Sequence, residues 1–117
     1  MAIITINLTL DGQTLKYQDS SGNWQVVDAG NPSTGVNSGD EVDWVADDTI
    51  SKVKIKPNQN QILEKVNDND SKKPKGKVKN GLTGTINVKY TISVKPASGG
   101  GGYIDVDPDL HYPKGGD

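Results

Sequence analysis

The chain has no cysteine, no arginine and a single histidine among its 117 residues. Without cysteine there is no disulfide, no thiolate nucleophile, no iron–sulfur cluster and no zinc site built on sulfur, so stability rests on packing alone. Without arginine the chain lacks the planar fork that grips phosphates and guanine edges in a bidentate way. The lone histidine, His111, has no visible partner for a ligand set and lies in a stretch, Leu110 to Gly116, that reads as a solvated tail. No apolar run approaches the roughly 18 residues that a membrane span needs. The start, Met1-Ala2-Ile3-Ile4-Thr5, carries neither the basic residues nor the apolar stretch of a signal peptide. The chain as written is therefore expected to be cytoplasmic and not membrane-bound; a secreted protein whose leader had been removed would read the same.

A helical period and an internal repeat are missing too, and what takes their place is alternation. From Thr85 to Lys95 the apolar residues Ile86, Val88, Tyr90, Ile92 and Val94 occupy every second position, the mark of a half-buried strand. The same period sets Ile4, Ile6, Leu8 and Leu10 on one face of a first strand. Asp11-Gly12 then predicts a type I′ hairpin turn, with Gln13 to Gln18 pairing back. Trp24 to Asp28 reads as a short strand after a turn at Ser20 to Asn23, and Ala29 to Gly35 as a loop full of breakers. Val42 and Trp44, then Val53 and Ile55, point inward from two further strands, and Ile62 to Val66 and Tyr103 to Val106 complete the set. Asn67 to Gly76 has no apolar residue and is expected to be solvated loop, Lys77 to Lys79 is ambiguous, and Ala97 to Gly102 is a glycine-rich linker. With 14 glycines, 6 prolines and 32% apolar residues, the chain predicts one all-β domain: a Greek-key β-sandwich of seven to nine short strands over residues 1–106, with a tail at 107–117.

The stretch Ser38-Gly39-Asp40-Glu41-Val42-Asp43-Trp44, followed by Asp47-Asp48 and the strand Lys52 to Ile55, resembles the cupredoxin core of plastocyanin-like domains. The resemblance implies a cupredoxin-like scaffold; an immunoglobulin-like topology is the alternative. In that family a histidine ligand follows the acidic turn, where this chain has Ser51 and Lys52. The remaining ligands come from the end of the long late strand and the loop after it, which here are Tyr90 to Val94 and a glycine-rich segment. Blue copper needs two imidazoles and a thiolate, and this chain has one imidazole and no thiol. The scaffold is expected to be copper-free, with no cofactor and no metal.

Other constellations have plain readings. Asp105, Asp107 and Asp109 fall at alternate positions and would point to one side of an extended chain, as in a calcium site, but such sites need six to eight oxygens and Asp107-Pro108-Asp109 also reads as a turn. Asp68-Asn69-Asp70 opens like an EF-hand loop and is followed by lysines instead of the required glycine and glutamate. Lys52, Lys54 and Lys56, with Lys72, Lys73, Lys75, Lys77 and Lys79, form a basic run without interleaved aromatics, so no nucleic-acid partner is expected. Trp44 reads as core and Trp24 as the freer indole, a candidate sugar-stacking residue. Gly99 to Gly102 precedes no helix and is no phosphate cradle. No nucleophile–base order or paired catalytic carboxylates are apparent, so no catalytic residues are expected.

Charge is the remaining signal. Residues 1–51 carry net −7, residues 52–95 net +8 and residues 96–117 net −3. Opposite patches attract, so the chain is expected to be a non-catalytic protein-interaction or structural module, self-associating or binding a protein partner through complementary acidic and basic surfaces. The alternative is a calcium- or carbohydrate-binding sandwich that uses Asp105, Asp107 and Asp109 or Trp24.

Overall fold

A computed structural model describes residues 2–19, 21–28, 32–57, 61–67, 72–98 and 101–114. Its elements are all strands: β1 (Ile3–Asp11), β2 (Thr14–Gln18), β3 (Trp24–Val26), β4 (Ser33–Gly35), β5 (Glu41–Ala46), β6 (Ile50–Pro57), β7 (Leu63–Asn67), β8 (Lys75–Val78), β9 (Ile86–Pro96), β10 (Ile104–Val106) and β11 (Asp109–Tyr112). The all-β sandwich is as expected, with more strands than the seven to nine predicted. One sheet runs β3-β2-β1-β5-β8-β7. In the other, β9 has β6 along one edge and β10 followed by β11 along the other, and β4 lies outside β11. The chain passes between the sheets at β3–β4, β4–β5, β5–β6, β6–β7 and β8–β9. Both sheets are mixed, because β1 pairs in parallel with β5 and β4 in parallel with β11.

The alternating segments behave as their period of two requires. Ile6, Leu8 and Leu10 of β1, Val42, Trp44 and Ala46 of β5, Val53 and Ile55 of β6, and Val88, Tyr90, Ile92 and Val94 of β9 all turn into one core. Asp11 pairs with Thr14 at the first hairpin, so Gly12 and Gln13 form its loop. Of these two loop residues only Gly12 has a positive φ, +64°, since no described non-glycine residue does. The turn therefore meets the type II′ requirement, glycine at the first central position, and not the type I′ geometry expected from Asp11-Gly12.

Three predicted loops or tails are strands. Residues 33–35 form β4, where the parallel ladder to β11 overrides a breaker-rich sequence. Lys75 and Gly76, expected in a solvated loop, open β8 together with the ambiguous Lys77 and Val78. That strand pairs with β5 and β7 and buries Gly76 and Val78 while its lysines face out. Residues 109–112, expected as tail, form β11, whose Leu110 is fully buried against β9. Asp107-Pro108 does not turn the chain. β10 and β11 keep one register along β9, with Ile104 opposite Val94 and Tyr112 opposite Ile86, and the Pro108 carbonyl accepts the Tyr90 N–H in between. Proline simply removes one donor from a continuous strand.

The core is pinned at its centre by two aromatics from opposite sheets. The Trp44 indole Nε1 donates to Tyr90 Oη at 3.1 Å, and the rings sit 5.6 Å apart at 58°. Gly76 makes room for this, since a Cβ there would lie 3.0 Å from Trp44 Cζ3. Burial, partly offset by the Trp44 hydrogen bond, raises the Tyr90 phenol well above its ordinary pKa, so it stays neutral. Replacing it by phenylalanine keeps the ring and strands a buried indole N–H, a loss of about 1–3 kcal/mol. Tyr90→Phe is expected to lower the urea midpoint accordingly, and an unchanged midpoint would show that the bond carries no stability.

Candidate functional site

The turn at residues 38–40 is held by a carboxylate with structural work. Asp40 is buried; its Oδ1 accepts the Ala2 N–H and its Oδ2 the Asn37 N–H, both at 2.9 Å, and its carbonyl accepts the Val78 N–H. One residue thus joins the start of β1 and the entry to β5 through its side chain and the end of β8 through its carbonyl. The acidic turn is equally committed. Asp47 accepts from the Thr49 hydroxyl and N–H, and the Thr49 oxygen in turn accepts the Leu10 N–H. Beyond it, Ser51 donates to the carbonyls of Lys95 and Pro96, and Lys52 lies opposite Lys95.

Asp105, Asp107 and Asp109 do share the outer face of their sheet, yet each is drawn sideways onto β9 instead of toward the others. Ser93 donates to Asp105 at 2.6 Å, Thr91 to Asp107 at 2.8 Å, and Lys89 Nζ lies 3.7 Å from Asp109. Among the described residues no group of three His, Asp or Glu side chains converges as a metal set. His111 does not sit in a tail; its Nδ1 shares a hydrogen bond with Ser33 Oγ at 2.9 Å across the β4–β11 ladder. Asp68-Asn69-Asp70, Gly99 and Gly100 lie outside the described residues.

The lysines gather spatially as they do in sequence. β6 and β7 are the outer strands of their sheets and five residues join them, so they close the same side of the sandwich. Lys52, Lys54 and Lys56 project from β6, Lys65 from β7, and Lys75 and Lys77 from β8, with Lys72, Lys73 and Lys79 beside it. These are nine of the thirteen lysines. Lys54 Nζ caps the Tyr103 ring at 4.8 Å from its centroid, which shields one face of an exposed aromatic. On the other sheet, Lys77 and Lys75 lie opposite Glu41 and Asp43, with Lys75 Nζ 3.9 Å from Asp43. The opposite side, closed by β3 and β4, has no charged residue in either strand.

The two tryptophans separate as their registers predict: Trp44 is fully buried and Trp24 is 44% exposed on edge strand β3. Trp24 pairs with Gln18, and Asn7 with Val45, while Asn7 Nδ2 donates to Gln18 Oε1 at 3.4 Å. One cross-strand row, Val45-Asn7-Gln18-Trp24, therefore crosses the outer face of the first sheet. It lines a shallow cleft of about 290 Å³ with Leu8, Ala46 and Asp47. A larger groove of about 580 Å³ opens where the sheets part, between Ile4, Ile6 and Tyr17 on one wall and Pro32 to Gly35 with Lys114 on the other. Sequence reasoning found Trp24 and missed Asn7 and Gln18, because strand pairing alone brings them beside it.

Two carboxylates carry opposite pH signatures. Burial opposes the charge of Asp47, but the hydroxyls of Thr49 and Thr9, the Thr49 N–H and Lys72 outweigh it and hold its pKa below the usual carboxylate value. Glu41 is raised by its hydrogen bond with Asp43, then by burial and the Asp43 charge, against the pull of Lys75. The Asp47 contribution is present above the unfolded pKa of about 3.9 and is lost as pH falls through the lower folded value. That of Glu41 is present below about 4.3 and is lost as pH rises through its raised folded value. Asp47→Asn is therefore expected to flatten the acid fall of the thermal midpoint, and Glu41→Gln to raise the midpoint at neutral pH. Thermal scans across acid and neutral buffers check both signs. A comparison of the chain with protein-family models and with curated proteins gives no match.

Proposed function

We propose that the chain is a non-catalytic protein-interaction module, self-associating or partner-binding, on a cupredoxin-like scaffold without the copper ligands. The scaffold reading is supported by the Gly39-Asp40 turn leading into a strand with a buried tryptophan and by the β6 strand after the acidic turn. The parallel β1–β5 and β4–β11 ladders weigh against the immunoglobulin-like alternative, whose sheets are antiparallel.

The interaction reading is carried by one observation, the gathering of nine of the thirteen lysines on β6, β7 and β8 and the segments beside β8. A side closed by two lysine-bearing outer strands, in a chain whose residues 1–51 and 96–117 carry net −7 and −3, supports contact between copies, which head-to-tail closes into rings or runs on as filaments. The calcium version of the alternative loses support, since Asp105, Asp107 and Asp109 are each committed to β9.

Charge-driven contact weakens with screening, because the Debye length falls from about 30 Å at 0.01 M salt to about 3 Å at 1 M. Sedimentation velocity is expected to show species larger than a monomer at low salt that dissociate at high salt. The charge-reversed variant Lys52→Glu, Lys54→Glu, Lys56→Glu is expected to stay monomeric throughout. A wild-type chain that is monomeric at every concentration and ionic strength, and retains no partner, would end this reading.

A further inference from the structure

The sequence gives β3 no charge and places an indole in it; the fold then leaves that indole outward on an edge strand. Trp24 is 44% exposed, an unusual outlay of apolar surface for a chain with only two tryptophans. Val26, two positions along the same strand, is equally exposed, but across the strands the neighbours are polar. The residues beside it in the cross-strand row are primary amides, and they are chained: Asn7 Nδ2 donates to Gln18 Oε1 at 3.4 Å and Gln18 Nε2 to the Gly22 carbonyl at 3.2 Å. This orders the Gln18 amide plane next to the indole and leaves the Asn7 carboxamide oxygen, among the described residues, without a donor. Asp47, whose Oδ1 is held by Thr49, also lines the cleft, and no lysine is among the lining residues.

A flat aromatic face next to fixed amides matches the two surfaces of a pyranose. The ring's axial C–H groups form a weakly apolar face that packs on an indole, and its equatorial hydroxyls both donate and accept at the rim, as amides do in return. From Trp24 to Val45 the row crosses three strand spacings, about 14 Å, enough for more than one sugar unit. The absence of cations in the lining selects against phosphorylated or carboxylated ligands.

We propose that the row Trp24-Gln18-Asn7 is a binding platform for a neutral oligosaccharide, with Trp24 stacking on a sugar ring and the two amides bonding its hydroxyls. The platform does not depend on self-association.

Native affinity electrophoresis of the full chain tests it, in gels containing mixed-linkage β-glucan, xylan, galactomannan or dextran, with alginate as the anionic control. Retardation by at least one neutral polysaccharide is expected. Trp24→Ala, at an exposed position, is expected to weaken it about tenfold or more, and Asn7→Ala to weaken it by a smaller factor. Because Trp44 is fully buried, a fluorescence change on titration with the retarding polysaccharide reports Trp24 specifically. Retardation by alginate alone would assign binding to the lysines and overturn the proposal. So would no retardation in any gel, or equal retardation of Trp24→Ala. Salt-dependent self-association abolished by Trp24→Ala, with no polysaccharide retained, would make the row a protein contact and overturn it as well.

Discussion

The structure depends on one contact between its two sheets, the hydrogen-bonded pair Trp44 and Tyr90. Each ring comes from the middle of an inner strand, β5 in one sheet and β9 in the other, and each is fully buried. In a chain without disulfides, large aromatic surfaces supply much of the area that holds the layers together. The cost of burying the indole N–H is offset by the phenol oxygen, which accepts it. Their size dictates what stands around them: the Trp44 ring packs against the neighbouring strand β8 at Gly76, where a Cβ would crowd the ring and Leu63 at 3.0–3.2 Å. The lysine-rich strand that looked like a loop in sequence is thus shaped by a tryptophan thirty-two positions earlier.

That dependence explains which parts of the fold were legible. β1, β5, β6 and β9 announce themselves because each buries one face, and a period of two is written wherever one face is buried. β4, β8 and β11 are short, and their residues, Ser-Thr-Gly, Lys-Gly-Lys-Val and Asp-Leu-His-Tyr, have no strand character of their own. They are strands because a neighbour with a strong pattern offers a ladder: β9 for β11, β11 for β4, and β5 for β8. Propensity is overruled by tertiary pairing in all three. Pro108 misled for a related reason, since a proline that lacks only one ladder bond looks, in one dimension, like a proline that ends the strand.

The same limit governs the candidate sites. A single residue's register was readable, so Trp24 and Trp44 could be told apart before any coordinates. Convergence was not. Asp105, Asp107 and Asp109 share a face as their spacing demands, but each bonds a hydroxyl or faces the lysine of β9. Asn7 and Gln18 sit eleven positions apart in sequence and adjacent in space, and nothing in either residue marks it for a shared site.

Charge placement joins these observations into a division of the molecule. An edge strand offers unpaired backbone groups to any other strand, and lysines on it discourage that pairing. β6 and β7 are guarded this way; β3 and β4 on the other side carry no charge at all. β4 is only three residues long and rests on β11, so little of it is available for pairing. β3 is as short, and it adds a bulky exposed indole, which keeps a flat strand from approaching edge-on while presenting an apolar face of its own. Shortness and bulk on one side replace charge on the other, and β3 and β4 themselves carry no cation.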